Sequence, residues 1–164
     1  LLLWAPRHPE RFGPVAESLR EAGLKVRCRR SQRLPGRTTQ VFVIDTIGEL
    51  LWFFAAADVA FVGGSLQAIG GHNLLEPAAA GVAIVTGPHL HNFVEISRRL
   101  DEVGALRVGQ DADAVGAALS DLLADTAERD RMTEAGRRLV ERGRGALAQT
   151  LILLQPALPP PPAG

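Results

Sequence analysis

The chain has a single cysteine, Cys28, no net charge and no long apolar run. One cysteine excludes a disulfide framework and any Cys-based zinc site. The balance of 18 Lys+Arg against 18 Asp+Glu excludes a globally basic nucleic-acid binder, while leaving room for a local basic patch. The longest apolar run, around residues 50–57, falls well short of the ~18 residues of a membrane-spanning helix. No segment has the pattern of a signal peptide. Lysine is nearly absent: 17 of the basic residues are Arg and only Lys25 is Lys, which reads as composition bias of the genome. What is present is 46% hydrophobic and 22% charged, the composition of a soluble globular chain and too apolar for disorder. A length of 164 residues suits one domain with a real core. Residue 1 is not Met, and Leu1 to Ala5 reads as the middle of a buried strand. The expectation is a piece of a longer protein, cut just before a strand.

Strands and helices alternate along the chain. Short apolar or β-branched runs at residues 1–5, 24–29, 40–44, 58–62, 82–86 and 105–108 predict six strands. Helical spacing predicts helices at 9–22, 47–56, 74–80, 93–102, 114–124, 127–142 and 145–154, with Gly23 and Gly81 as stops. The tail at 156–164 is Pro-rich and reads as disordered or extended. This alternation predicts an α/β fold, a Rossmann-like open parallel sheet of about six strands with helices on both faces. Ligands of such folds bind outside the carboxyl ends of the strands. That rule directs attention to the loops after Ala5, Ile44, Val62 and Thr86.

After the first strand comes Pro6-Arg7-His8-Pro9-Glu10-Arg11, where Arg7 either reaches a phosphate or pairs with Glu10 on the surface. After the third comes Asp45-Thr46-Ile47-Gly48-Glu49-Leu50. Its helix start offers N–H groups to an anion or a base edge, or is simply capped by Asp45 or Thr46. The longest motif runs from Gly63-Gly64-Ser65 to Gly70-Gly71-His72-Asn73-Leu74-Leu75-Glu76-Pro77. Paired glycines let backbone amides approach a ligand. Asn73 and Glu76 fit a capping box, yet a carboxylate there can also accept from vicinal ribose hydroxyls. The segment is neither the G-x-G-x-x-G fingerprint nor a G-x-x-x-x-G-K-[ST] loop. In Gly87-Pro88-His89-Leu90-His91-Asn92-Phe93, the two His make a weak metal motif, and Asn92 as a helix N-cap is the favoured reading. Residues 20–37 carry Arg20, Lys25, Arg27, Arg29, Arg30, Arg33 and Arg37 against Glu21 alone. That cluster suits anionic lipid or another polyanion, or equally an edge strand protected by charge.

Taken in order, these motifs resemble the 3-deoxy-D-manno-octulosonic acid (Kdo) transferases of Gram-negative bacteria. The resemblance rests on Pro6-Arg7-His8-Pro9-Glu10-Arg11-Phe12, Asp45 to Leu50, Ala56 to Leu66, Gly70 to Ala79, and Gly87-Pro88-His89 with Asn92-Phe93. It covers the chain to about residue 158 and corresponds to the carboxyl-terminal domain of those enzymes. Two departures stand out: the family usually has Asn-Pro-Leu-Glu at residues 73–76, and Gly at the position of Ile44. Neither change removes a group assigned to the ligand.

The resemblance implies the donor half of a GT-B glycosyltransferase, whose amino-terminal acceptor domain is absent from this chain. Residues 1–155 would form the donor domain, and 156–164 the tail. The full enzyme would transfer Kdo from CMP-Kdo to a lipid A precursor in lipopolysaccharide biosynthesis. It would act at the cytoplasmic face of the inner membrane, and this piece alone would be soluble and inactive. Pro6, Arg7, Ile47, Gly48, Glu49, Asn73, Leu74, Leu75 and Glu76 would bind CMP, with Arg7 near the phosphate and Glu76 on the ribose. Gly63, Gly64, Ser65, Gly70, Gly71 and His72 would form the donor loop. The catalytic base would lie on the missing domain, with Arg7 and helix dipoles stabilising the departing phosphate. No metal, cofactor or nucleic acid is expected; CMP-Kdo is a substrate. A non-catalytic nucleotide-binding module and a related GT-B sugar-nucleotide epimerase are the alternatives.

Overall fold

The computed structural model describes residues 1–143 and 145–154. It contains two compact units, Leu1–Ala57 and residues 58 onward. The predicted Pro-rich tail lies outside the described residues.

Unit 1 holds β1 (Leu2–Trp4), α1 (Phe12–Glu21), β2 (Val26–Cys28), β3 (Val41–Val43) and α2 (Leu50–Ala55). A short 3-10 turn at Pro9–Arg11 leads into α1, and a second follows β2 at Arg29–Ser31. The strands are parallel in the order β1-β3-β2, with Leu2 and Val26 both in register with Val41. The central strand β3 is buried at every residue. Alternation splits it between two faces. Val41 and Val43 pack with Ala16 and Leu19 of α1, while Phe42 meets Phe53 of α2 with ring centroids 6.1 Å apart.

Unit 2 holds β4 (Val59–Val62), α3 (Leu75–Ala80), β5 (Ala83–Thr86), α4 (Val94–Glu102), β6 (Leu106–Val108), α5 (Ala112–Ala124), α6 (Thr126–Gly143) and α7 (Gly145–Leu154). Its sheet is also parallel, in the order β4-β5-β6. Here β5 is the fully buried centre. Ile84 belongs to one core with Val62, Leu74, Ala78, Leu100 and Leu106. Its neighbours Ala83 and Val85 belong to the opposite core with Val115, Leu122 and Met132. Helices therefore cover both faces, as the sequence predicts.

The strands and their parallel pairing follow the prediction, but one continuous sheet of about six strands does not. The hydrogen-bonded ladders are two sheets of three strands each, centred on β3 and β5. Helix boundaries shift for local reasons. Asp111 accepts the Ala114 N–H at 2.8 Å, so α5 starts at Ala112 rather than 114. Helix α2 starts at Leu50 rather than 47, because Gly48 has φ of +86°.

Candidate functional site

The carboxyl ends of β4 and β5 carry two loops that are stitched together. The hydroxyl of Ser65, fully buried, donates to the Val62 carbonyl at 2.9 Å and accepts the Gly87 N–H at 2.8 Å. Thr86, the last residue of β5, donates its own hydroxyl to the same Val62 carbonyl at 3.0 Å. The Ser65 carbonyl accepts the His89 N–H at 2.9 Å. A side chain at Gly87 would place its Cβ 2.5 Å from the Ser65 carbonyl oxygen, so only glycine permits this approach.

Further along, the Gly71 N–H donates to the Gly64 carbonyl at 2.8 Å and closes the loop on itself. Gly64, Gly70 and Gly71 have φ of +69°, +105° and +79°, values that L side chains rarely adopt. His72 lies against Gly64, where an added Cβ would sit 2.9 Å from its Nε2. All six donor-loop residues of the sequence analysis (Gly63, Gly64, Ser65, Gly70, Gly71 and His72) therefore belong to one loop system at the end of β4.

The expected capping box takes a different form. Asn73 Oδ1 accepts the Leu75 N–H at 3.0 Å, and its Nδ2 donates to Glu76 Oε1 at 2.9 Å. The two side chains bond each other, because α3 starts at Leu75 and puts Glu76 in its first turn. Leu74 is fully buried in the core, so its side chain serves packing. Leu75 is exposed. The other cap differs as well. Phe93, not Asn92, stands at the N-cap of α4, and no side chain caps that helix. Asn92 instead donates its amide to the Ile69 carbonyl at 3.2 Å. Sequence reasoning noticed this residue and gave it the wrong partner, because a helix start is a local signal and Ile69 is 23 residues away.

In unit 1, Pro6 and the exposed Arg7 follow β1, and His8 Nδ1 lies 3.9 Å from Glu10 Oε1. After β3, neither Asp45 nor Thr46 caps α2. Asp45 Oδ1 accepts the Arg30 N–H at 2.8 Å, fastening the turn that follows β2. Glu49 accepts the Thr46 hydroxyl at 2.5 Å on one oxygen and the Arg29 guanidinium at 2.8 Å on the other. These two contacts, the Thr46 hydrogen bond first, hold the Glu49 carboxyl below its ordinary range. Ile47 is exposed, and open space lies where a Cβ on Gly48 would stand. The Arg cluster is partly committed to the fold: Arg29 to Glu49, Arg30 over the Phe12 ring at 5.9 Å, and Arg20 to the Cys28 sulfur at 3.5 Å. Helices α2 and α3 have six residues each. Among the described residues, no group of three or more His, Cys, Asp or Glu side chains is placed to hold a metal ion. None of the described helices is long and apolar enough to cross a membrane.

Comparison with known proteins bears on what these loops serve. No family model matches the chain. A 3-deoxy-D-manno-octulosonic acid transferase of Haemophilus influenzae is 45% identical over 159 residues, which is 96% of this chain and 37% of that protein. The transferase of Bordetella pertussis is 43% identical over 158 residues, or 94% of this chain and 36% of that protein. The chain thus spans a little over a third of the length of these curated relatives. A crystal structure of the C-terminal CMP-Kdo binding domain of WaaA from Acinetobacter baumannii matches with a TM-score of 0.80 and 34% identity. The match covers 84% of this chain and 72% of that one.

Parallel strands, covering helices and glycine-rich loops at the strand ends make this a Rossmann-like domain, of the kind found at the carboxyl terminus of GT-B glycosyltransferases. The chain belongs to the 3-deoxy-D-manno-octulosonic acid transferase family.

Proposed function

We propose that this chain is the donor-binding part of a Kdo transferase and holds CMP-Kdo through its nucleotide. The observation that carries this reading is the match to the CMP-Kdo binding domain of WaaA, at 34% identity over most of both chains. Within unit 1, Pro6, Arg7, Ile47, Gly48 and Glu49 are the proposed CMP contacts. Arg7 is suited to a phosphate by its planar, permanently charged fork. Within unit 2 they are Asn73, Leu74, Leu75 and Glu76. The free oxygen of Glu76 would accept from ribose hydroxyls, while Asn73 holds the other.

The parent enzyme would pass Kdo to a lipid A precursor at the cytoplasmic face of the inner membrane. Its base, on an amino-terminal domain, would activate the acceptor hydroxyl. Arg7 and backbone N–H groups would stabilise the charge on the leaving CMP. No cofactor, metal or nucleic acid enters this proposal. The chain by itself would bind CMP and transfer nothing.

Calorimetric titration with CMP and with UDP tests the reading. Preferential CMP binding is expected. Absence of binding at millimolar CMP, or a clear preference for UDP, overturns it. Turnover of CMP-Kdo onto an acceptor by this chain alone would overturn the two-domain account.

A further inference from the structure

The loop after β5, Gly87 to Phe93, is not absorbed by the donor-binding reading. None of its residues is among the proposed CMP contacts. Its bonds nevertheless run to the donor loop. Gly87 and His89 donate to Ser65, and Asn92 reaches two consecutive carbonyls of the Gly-rich turn. Its backbone N–H donates to Gly70 and its side-chain amide to Ile69, both at 3.2 Å.

Three features make Asn92 the point of control. First, it is exposed and α4 has no side-chain cap, so its amide serves the neighbouring loop rather than the helix. Second, it fills the space a side chain at position 70 would need: a Cβ on Gly70 would lie 2.2 Å from the Asn92 amide nitrogen. Third, the turn it grips contains two successive residues with positive φ, Gly70 and Gly71. Glycines lose the most conformational freedom on ordering, so the bonds from Asn92 add to the loop's own Gly71–Gly64 bond in holding this turn in one shape. Asn73 and Glu76 follow directly on that turn.

We infer that Asn92 is a positioning residue: it fixes the Gly70–Gly71 turn so that Asn73 and Glu76 are presented to the donor nucleotide in one geometry. The inference rests on the donor-binding reading for the identity of the ligand, but not for the anchoring itself. A small polar residue of another kind would not do. The site needs an N–H donor that reaches past the Cα of Gly70, and an amide supplies it where a hydroxyl of Ser or Thr is too short.

The test compares Asn92→Ala and Asn92→Gln in this chain by amide hydrogen exchange and CMP calorimetry. In Asn92→Ala, the amides of Gly71 and residue 92 are expected to exchange about five- to tenfold faster, as for loss of one hydrogen bond. CMP should bind about five- to tenfold more weakly, with the melting temperature lowered by only a few degrees. Asn92→Gln, which keeps the donor, should stay within about twofold of the parent in both. Unchanged exchange and binding in Asn92→Ala, or a Gln variant as impaired as Ala, overturns the inference. If the parent chain binds no CMP, the donor reading fails, and the exchange comparison alone decides whether Asn92 anchors the turn.

Discussion

Ser65 and Gly87 lock the ends of β4 and β5 together: the buried hydroxyl of one accepts the N–H of the other at 2.8 Å. The contact joins residues 22 apart in sequence and sits beneath both loops of unit 2.

Ser65→Ala leaves the Gly87 N–H without this acceptor in a buried site. The expected loss of stability is about 1–3 kcal/mol, read as a lowered midpoint in urea unfolding. Gly87→Ala should cost more, because its Cβ would meet backbone atoms of Ser65 that cannot swing aside. A Gly87→Ala variant as stable as the parent would show that the two loops can separate without cost.

Arg7 and Glu76 are expected to matter for the nucleotide rather than for the fold. Arg7→Ala should weaken CMP binding by about tenfold or more, the scale of a charge-assisted hydrogen bond. Glu76→Gln should also weaken it, since a single amide oxygen cannot serve both Asn73 and a ribose hydroxyl. Calorimetry on the two variants, with thermal melts alongside, separates binding from folding. Equal affinity for parent and Arg7→Ala would remove Arg7 from the proposed site.

The Glu49 carboxyl titrates below its ordinary range, with the Thr46 hydroxyl as the larger cause and Arg29 as the next. A carboxyl lowered in the folded state adds stability that is complete above its unfolded value and disappears as pH falls through its folded value. Carbon-detected NMR titration of the side chain reads this directly. Thr46→Val and Arg29→Ala should each move the Glu49 midpoint upward, Thr46→Val by more. No upward movement in either variant would mean the two contacts do not persist in solution.

Leu74 stands between two proposed ligand residues but is fully buried. Leu74→Ala should destabilise the chain by about 2–5 kcal/mol through the cavity it opens. Residual CMP affinity, measured at a temperature where the variant is folded, should stay close to that of the parent. A large loss of affinity with little loss of stability would give its side chain a direct role at the ligand.

Much of this was legible along the chain. Apolar runs such as Val41 to Ile44 and Val82 to Thr86 are short, rich in β-branched residues and bounded by polar or glycine residues, so they read as buried strands. The parallel order followed, because each strand is separated from the next by a helix-length segment. Glycines at 64, 70 and 71 marked the loop whose backbone takes positive φ. These are properties of neighbours in sequence, where local sterics and hydrophobic period dominate.

Tertiary structure decided what lies beyond that range. It divided the six strands into two ladders. Asp45 went to the Arg30 N–H rather than to a helix end, and Asn92 to Ile69 rather than to α4. Asn73 and Glu76 bonded each other instead of forming the reciprocal box. In each case a polar side chain had several acceptors or donors of similar worth. A hydrogen bond carries only about 1 kcal/mol of net preference, so the partner that folding brings within reach is the one it takes. Hydrophobic spacing set the elements of this domain from the sequence alone; the fold chose which polar groups meet at their ends, because only packing brings distant loops together.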